Sequence, residues 1–293
     1  EKETGITMNN SPTIHVGYET ISELPKEQHV QPMLSLNKTK EPADLVAWLG
    51  NEQGLLSMKL DGLSIILTYE NGELVKALTR GNGEIGEVIT NNAKTFVNIP
   101  GRIQYTGTLI VRGEALIRYS DFEELNKQEN VEEQYKNPRN LCSGSVRQLN
   151  NEITAKRRVH FYAYNIISIG DEISFTKKKE GLVWLVKQGF EVAPYREVSA
   201  SNIEDMITYF SNYVKQSDLP SDGLVLTFDD VAYSATLGRT AKFPHDSIAF
   251  KWQDELAETT LREIEWSASR TGLINPVAVF DAVELEGTTV SRA

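Results

Sequence analysis

The chain has one cysteine, Cys142, among 293 residues, so it forms no internal disulfide and builds no cysteine-rich zinc site of its own. Long apolar runs are missing too. No stretch approaches the ~20 consecutive apolar residues that span a bilayer. The opening Glu1-Lys2-Glu3-Thr4 lacks the basic-then-apolar pattern of a secretion signal. These absences point to a reducing cytoplasm and to no membrane partner. The four histidines, His15, His29, His160 and His245, have no metal-ligand spacing and read as structural or surface residues. No Ser/His/Asp triad is suggested. Positive charge is scarce: the net charge of −11 argues against a dedicated nucleic-acid-binding domain. One segment departs from this. Between Lys136 and Arg158 lie six basic residues and one acidic residue, Glu152, a stripe that suits phosphates or simply a solvated face.

What is present is a 40% hydrophobic chain with room for a substantial core. Residues 1–40 read as irregular lead-in, with Asn9-Asn10-Ser11-Pro12 as a turn cluster. Pro42 to Leu49 reads as a helix, with proline at its start and Gly50 just past its end. Leu63–Tyr69 and Leu74–Leu78 flank Asn71-Gly72 and predict a hairpin with a tight turn. Leu109–Val111, Val159–Ile167, Gly223–Phe228 and Ser247–Trp252 read as strands. Ser120 with Glu123 and Ser201 with Glu204 have the capping-box spacing, which predicts helices over 121–129 and 202–216. A further helix over 175–188 ends at Gly189. Strands outnumber helices without βαβ alternation, so the expected class is α+β with antiparallel sheets. The texture changes near residue 258. Leu261 to Val290 gives short strands that read as the start of a second β domain, too short to close a barrel alone. The expected division is therefore 1–40, 41–257 and a truncated 258–293.

Lys59 stands in Lys59-Leu60-Asp61-Gly62. A lysine is a poor nucleophile while protonated, so one used for attack needs burial or nearby charges to tune it. Gly62 lets the backbone approach a ligand closely, and Asp61 is suited to orienting the amine. Arg80-Gly81-Asn82-Gly83-Glu84-Ile85-Gly86 also satisfies G-x-G-x-x-G. It follows a hairpin and opens no βαβ unit, so a glycine-rich loop behind a phosphate- or ribose-binding arginine is the better reading. Val111-Arg112-Gly113-Glu114 puts a carboxylate at a strand end, suited to ribose hydroxyls or Mg²⁺. Asp222 is a strand-start carboxylate. Lys251 interrupts the apolar run Ala249-Phe250-Lys251-Trp252 and needs a partner such as a phosphate. Tyr164 suits stacking on a base, and equally a core position. Cys142 reads as part of a Ser/Gly-rich turn.

Taken in order, these motifs resemble the adenylation domain of bacterial NAD⁺-dependent DNA ligases. The most specific stretch, Asn137-Pro138-Arg139-Asn140-Leu141-Cys142-Ser143-Gly144-Ser145-Val146-Arg147-Gln148-Leu149, is similar to that family's NPRN…GS-x-RQL signature. Pro32-Met33-Leu34-Ser35-Leu36, Thr79-Arg80-Gly81, Ile153-Thr154-Ala155-Lys156-Arg157 and Arg270-Thr271-Gly272 add to the likeness. The resemblance implies a nucleotidyltransferase fold followed by an OB-type β domain. It implies that Lys59 attacks the adenylyl phosphate of NAD⁺, releases nicotinamide mononucleotide and passes AMP to the 5′-phosphate of nicked duplex DNA. Lys251 and Mg²⁺ would neutralise the phosphate, with Asp61 and Asp222 also catalytic. Ser35, Leu36, Ser57, Gly62, Arg80, Glu114, Tyr164 and Thr227 would line the nucleotide pocket. Arg139 and Arg147 would hold DNA or phosphate, and Glu114 is the candidate Mg²⁺ ligand. The implied protein is a cytoplasmic, nucleoid-associated monomer without zinc in this part. It also implies an N-terminal lobe and further modules outside this chain, hence a weakly active fragment.

Departures from the family stand at Ser57, where a glutamate reading adenine is usual, and at Thr227, where a lysine is usual. Asn82 and Val88 each replace an aspartate. Two other classes therefore stay open. One is a nucleotide-binding module without turnover; the other is an ATP-dependent ligase or capping-type enzyme, which the Asn137–Leu149 signature disfavours.

Overall fold

The computed structural model describes residues 23–128, 135–252, 257–268, 272–285 and 288–293. The Asn9–Pro12 cluster, His15, Arg270 and Thr271 lie outside the described residues. The chain divides into two compact units, Glu1–Lys251 and Trp252–Ala293.

The first unit opens with β1 (Lys26–Gln28), β2 (Asn37–Thr39), α1 (Pro42–Leu49), β3 (Gly54–Leu60), β4 (Leu63–Glu70), β5 (Glu73–Thr79), β6 (Ile85–Glu87) and α2 (Thr90–Ala93). It continues through β7 (Leu109–Leu116), α3 (Tyr119–Gln128), α4 (Pro138–Val146), α5 (Asn151–Lys156), β8 (His160–Ser168) and α6 (Lys178–Lys187). β9 (Tyr195–Val198), α7 (Ile203–Gln216), β10 (Ser221–Phe228), α8 (Val231–Leu237) and β11 (Ser247–Lys251) complete it. The lead-in is not wholly irregular. β1 pairs with β6, and β2 pairs in parallel with β11, because both strands find open edges to satisfy their backbone groups.

Two sheets organise the unit: a four-stranded one in the order β5-β4-β7-β8, and a five-stranded one in the order β2-β11-β10-β3-β9. The β4–β5 hairpin forms as expected. Asn71 and Gly72 both take positive φ, 51° and 80°, the geometry an Asn-Gly turn supplies. β7 runs on to Leu116 rather than stopping at Val111, because Ala115 and Leu116 continue the buried apolar pattern. Glu114 thus sits within a strand, not at its end.

Two expected helix starts need correction. α3 begins at Tyr119, and Ser120 is no cap. Its N–H and hydroxyl donate to Asp218 at 2.8 and 2.6 Å, so a carboxylate distant in sequence caps the helix. Asn202, not Ser201, precedes α7, and its Oδ1 accepts from the Ser199 N–H at 2.8 Å. Cys142 is helical rather than in a turn. Asn137 caps α4 by accepting the Asn140 N–H at 2.8 Å, with Pro138 in the first turn. The fully buried Cys142 thiol donates to the Ala115 carbonyl at 3.2 Å, and burial pushes its pKa up.

The main core lies behind the four-stranded sheet, where Ile65, Leu67, Tyr69, Val111 and Phe161 meet Leu141, Leu185 and Phe190. Against the five-stranded sheet, α1 and α7 bury Leu45, Leu49, Ile203, Ile207 and Phe210. Strand alternation sends Leu55, Ser57 and Lys59 to the face opposite Leu56 and Met58.

The second unit is an antiparallel meander of β12 (Leu261–Ala268), β13 (Ile274–Leu285) and β14 (Thr288–Arg292). Arg262 holds Asp281 through two hydrogen bonds, 2.7 and 2.5 Å.

Candidate functional site

The register of the five-stranded sheet sets Lys59, Gly223 and Lys251 opposite one another on three neighbouring strands. A β-bulge between Ser221 and Gly223 turns Asp222 toward both lysines. Lys59 Nζ lies 2.6 Å from Oδ1 and Lys251 Nζ lies 2.9 Å from Oδ2, so one carboxylate bridges two ammoniums. Burial works against the Asp222 charge, but the two lysines override it and hold its carboxyl below the ordinary carboxylate range. The same carboxylate raises the pKa of Lys251. Lys251 ends β11 and is only partly covered, with a side-chain exposure of 36%. Its partner here is therefore Asp222, where the apolar run had suggested a buried cation awaiting a phosphate.

β3 leaves the sheet through Asp61-Gly62 and enters β4 of the four-stranded sheet. Gly62 is required there: a Cβ would come 2.0 Å from the Ala115 carbonyl oxygen. Asp61 forms an ion pair with Arg139, at the start of α4. The arginine of the most specific motif thus meets the aspartate of the K-x-D-G turn.

Glu114 is 8% exposed and accepts the Ser64 hydroxyl at 2.7 Å. Burial pushes its carboxyl up to about 7, against the pull of Ser64 and the positive charges of Lys59 and Arg139. A raised carboxyl pKa means the folded chain holds the proton more tightly than the unfolded one. Its ionisation therefore lowers stability as pH rises from about 4.5 through about 7, and has no effect below that window. Glu114→Gln should melt higher than wild type at pH 8, by on the order of 3 kcal/mol at most, and equally at pH 4. Calorimetric melts across that range check this. A variant no more stable than wild type at pH 8 would refute it.

Arg80 leaves β5 at the start of the glycine-rich loop. Its Nε donates to the Met33 carbonyl at 3.2 Å and its Nη2 to Ser35 Oγ at 2.8 Å. Ser35 thus holds the arginine. Leu36 follows it, half-buried, before β2. The loop joins β5 to β6 without a βαβ unit, as expected. Tyr164 on β8 is 36% exposed, and its hydroxyl donates to Ser64 Oγ at 3.5 Å, which puts its ring beside the Ser64–Glu114 pair. Ser57 and Thr227 share the lysines' sheet face. Ser57 Oγ donates to the Val225 carbonyl at 3.3 Å, and Thr227 Oγ1 to Ser247 Oγ at 3.2 Å. Both hydroxyls serve their own sheet.

The basic stripe is mostly paired. Besides Arg139 with Asp61, Arg147 Nε donates to Glu87 at 2.8 Å, Arg157 to Tyr135 Oη at 3.0 Å and Arg158 to Glu124 at 2.7 Å. Sequence reasoning missed Ser64, although strand parity puts it opposite Glu114, and it gave Arg112 no role of its own. The half-buried Arg112 guanidinium keeps its Nε without a hydrogen-bond partner among the described residues, and desolvation lowers its pKa. Cavities of about 430 Å³ along α6 and about 210 Å³ beside α2 include none of Lys59, Arg80 or Glu114, so chemistry rather than volume marks the site.

Antiparallel sheets flanked by helices, with the K-x-D-G lysine leaving one sheet for the other, form the nucleotidyltransferase fold. The family described as NAD-dependent DNA ligase adenylation domain matches residues 21–255. The chain belongs to that family. Relatives named DNA ligase are 60% identical in Ruminiclostridium cellulolyticum and 62% in Lachnoclostridium phytofermentans, each aligned over all of this chain and 45% of the relative. The chain thus spans under half the length of these relatives. An archaeal ATP-dependent RNA ligase structure overlaps 76% of this chain and 48% of its own, with a TM-score of 0.46 and 12% identity, too loose a likeness to bear on the chemistry. Among the described residues, no helix is long and apolar enough to cross a membrane.

Proposed function

We propose that the chain carries out the adenylation step of an NAD⁺-dependent DNA ligase. Lys59 attacks the α-phosphorus of NAD⁺; the N–P bond forms, the P–O bond to nicotinamide mononucleotide breaks, and AMP stays on Nζ. The observation that carries the reading is the Lys59–Asp222–Lys251 bridge. Asp222 aligns the nucleophile and accepts the proton the amine gives up as the N–P bond forms, while Lys251 stands beside it as a cation for the phosphate oxygens. Glu114 and Arg80 face the ribose. Tyr164 offers its ring to the base.

Mg²⁺ suits a site of this kind, since it uses one or two carboxylates together with substrate phosphates rather than a protein cage. Among the described residues, no cluster of three or more His, Cys, Asp or Glu side chains could hold a metal ion. Glu114 and Asp61, close enough to feel each other's charge, would hold the cation, which when bound neutralises phosphate charge. Passage of AMP to nicked DNA, with Arg139 and Arg147 exchanging their carboxylate partners for phosphate, belongs to the same proposal, as do the cytoplasm and a monomeric state.

A second reading, a nucleotide-binding module without turnover, rests on Ser57 and Thr227. These put neutral hydroxyls, committed to the sheet, where the family usually has a glutamate and a lysine. Intact mass after incubation with Mg²⁺ and either NAD⁺ or ATP tests both readings. An AMP-sized gain with NAD⁺ alone is expected. No gain with either nucleotide would favour the second reading.

A further inference from the structure

We infer that His29 is a positioning residue for Arg80, an inference that rests on the proposed role of Arg80 at the nucleotide. His29 follows β1 and is 7% exposed. Its Nε2 lies 3.1 Å from the Arg80 carbonyl oxygen. A carbonyl only accepts, so Nε2 carries the hydrogen. The buried Nδ1 has no hydrogen-bond partner among the described residues, so the ring has one polar contact of consequence, and it is to Arg80.

The contact completes a clamp. The Arg80 N–H donates to the Ser64 carbonyl at 3.0 Å, so both backbone groups of this residue are held. The same segment that carries His29 then holds the side chain. His29 N–H bonds the Glu84 carbonyl at 2.8 Å, and Met33 N–H bonds the Gly83 carbonyl at 2.8 Å. The Met33 carbonyl and Ser35 hydroxyl receive Arg80 Nε and Nη2. Gly86 leaves the imidazole room: a Cβ there would stand 3.0 Å from both Cε1 and Nε2. The strap over 26–35 therefore fixes where the guanidinium points. Without His29 the loop keeps its turn, through the Gly83 N–H on the Arg80 carbonyl at 3.0 Å and Asn82 Oδ1 accepting the Glu84 and Ile85 N–H groups, and Arg80 keeps its side-chain bonds to Met33 and Ser35, but its carbonyl loses the tie to the strap.

The test compares His29→Ala, His29→Gln and Arg80→Ala, with the double variant His29→Ala/Arg80→Ala, in the full 293-residue chain. Glutamine can offer an N–H near the place of Nε2. Two readouts are taken: the NMR signal and exchange rate of the Arg80 Nε–H, assigned by its loss in Arg80→Ala, and the NAD⁺ concentration giving half-maximal single-turnover transfer of AMP to the chain. His29→Ala should shift the Arg80 signal, speed its exchange and raise the half-maximal NAD⁺ concentration by about 10- to 100-fold, with a smaller change in maximal rate. His29→Gln should restore most of both. In the Arg80→Ala background, His29→Ala should add little, as coupled residues do. An unchanged Arg80 signal in His29→Ala, or a full additional loss on top of Arg80→Ala, would overturn the inference. Failure of the wild-type chain to take up AMP would count against the proposed function instead, and the Arg80 signal would still decide the role of His29.

Discussion

Lys59→Ala should leave no covalent AMP on the chain after incubation with NAD⁺ and Mg²⁺, and Lys59→Arg should do the same. Loss of a covalent nucleophile lowers turnover by on the order of 10⁶-fold in well-studied cases; here the adduct itself has nowhere to form. The arginine variant separates two roles of the residue. It keeps a cation against Asp222, whose Oδ1 lies 2.6 Å from the lysine amine, but a guanidinium does not give up its proton to become a nucleophile. Lys59→Arg should therefore fold and melt like wild type while remaining unmodified. Lys59→Ala also releases one side of the Asp222 bridge, which leaves Lys251 alone to hold that carboxylate. Intact mass gives the first result and a thermal melt the second. AMP found on Lys59→Arg would remove Lys59 from the chemistry.

Gly62→Ala is the second large effect, and it acts through the backbone. The added methyl would stand 2.0 Å from the Ala115 oxygen and 3.0 Å from its carbonyl carbon, both backbone atoms that no rotamer change can move aside. The turn or β7 must shift. Overpacking of this kind costs about 3 kcal/mol. The shift also moves Lys59 and Asp61, on one side of the turn, relative to Glu114, the residue just before Ala115. A displacement of about 1 Å in such a constellation lowers rates by about 100-fold. The expected variant is less stable and slow to take up AMP even where it is fully folded. Chemical denaturation gives the first quantity and single-turnover mass the second. Wild-type stability together with wild-type rate would mean that the close packing of the two chain segments is unimportant.

Much of this site was legible in the chain because its signals are local. Lys59, Asp61 and Gly62 lie within four residues of one another, and Asn71-Gly72 announces its hairpin through positive φ alone. Pro42 and Gly50 bracket α1, whose bounds need nothing from the rest of the chain. Where a distant group supplied what a local pattern promised, the expectation failed. Asp218 took the capping role that the Ser120 spacing implied. The apolar tail of β7 carried Glu114 from a strand end into the interior, which changed its charge behaviour as well as its address.

The sequence by itself determined the α+β class, the order of the motifs and the lysine proposed as the nucleophile. Each is written in residue types at short spacing. Only the tertiary structure decided that Asp222 bridges Lys59 and Lys251, that Arg139 closes on Asp61, and that His29 and Ser35 both serve Arg80. Those pairings depend on strand register, on a bulge and on which side chains lost their water. Such quantities are fixed when distant segments pack, and no window of the chain contains them.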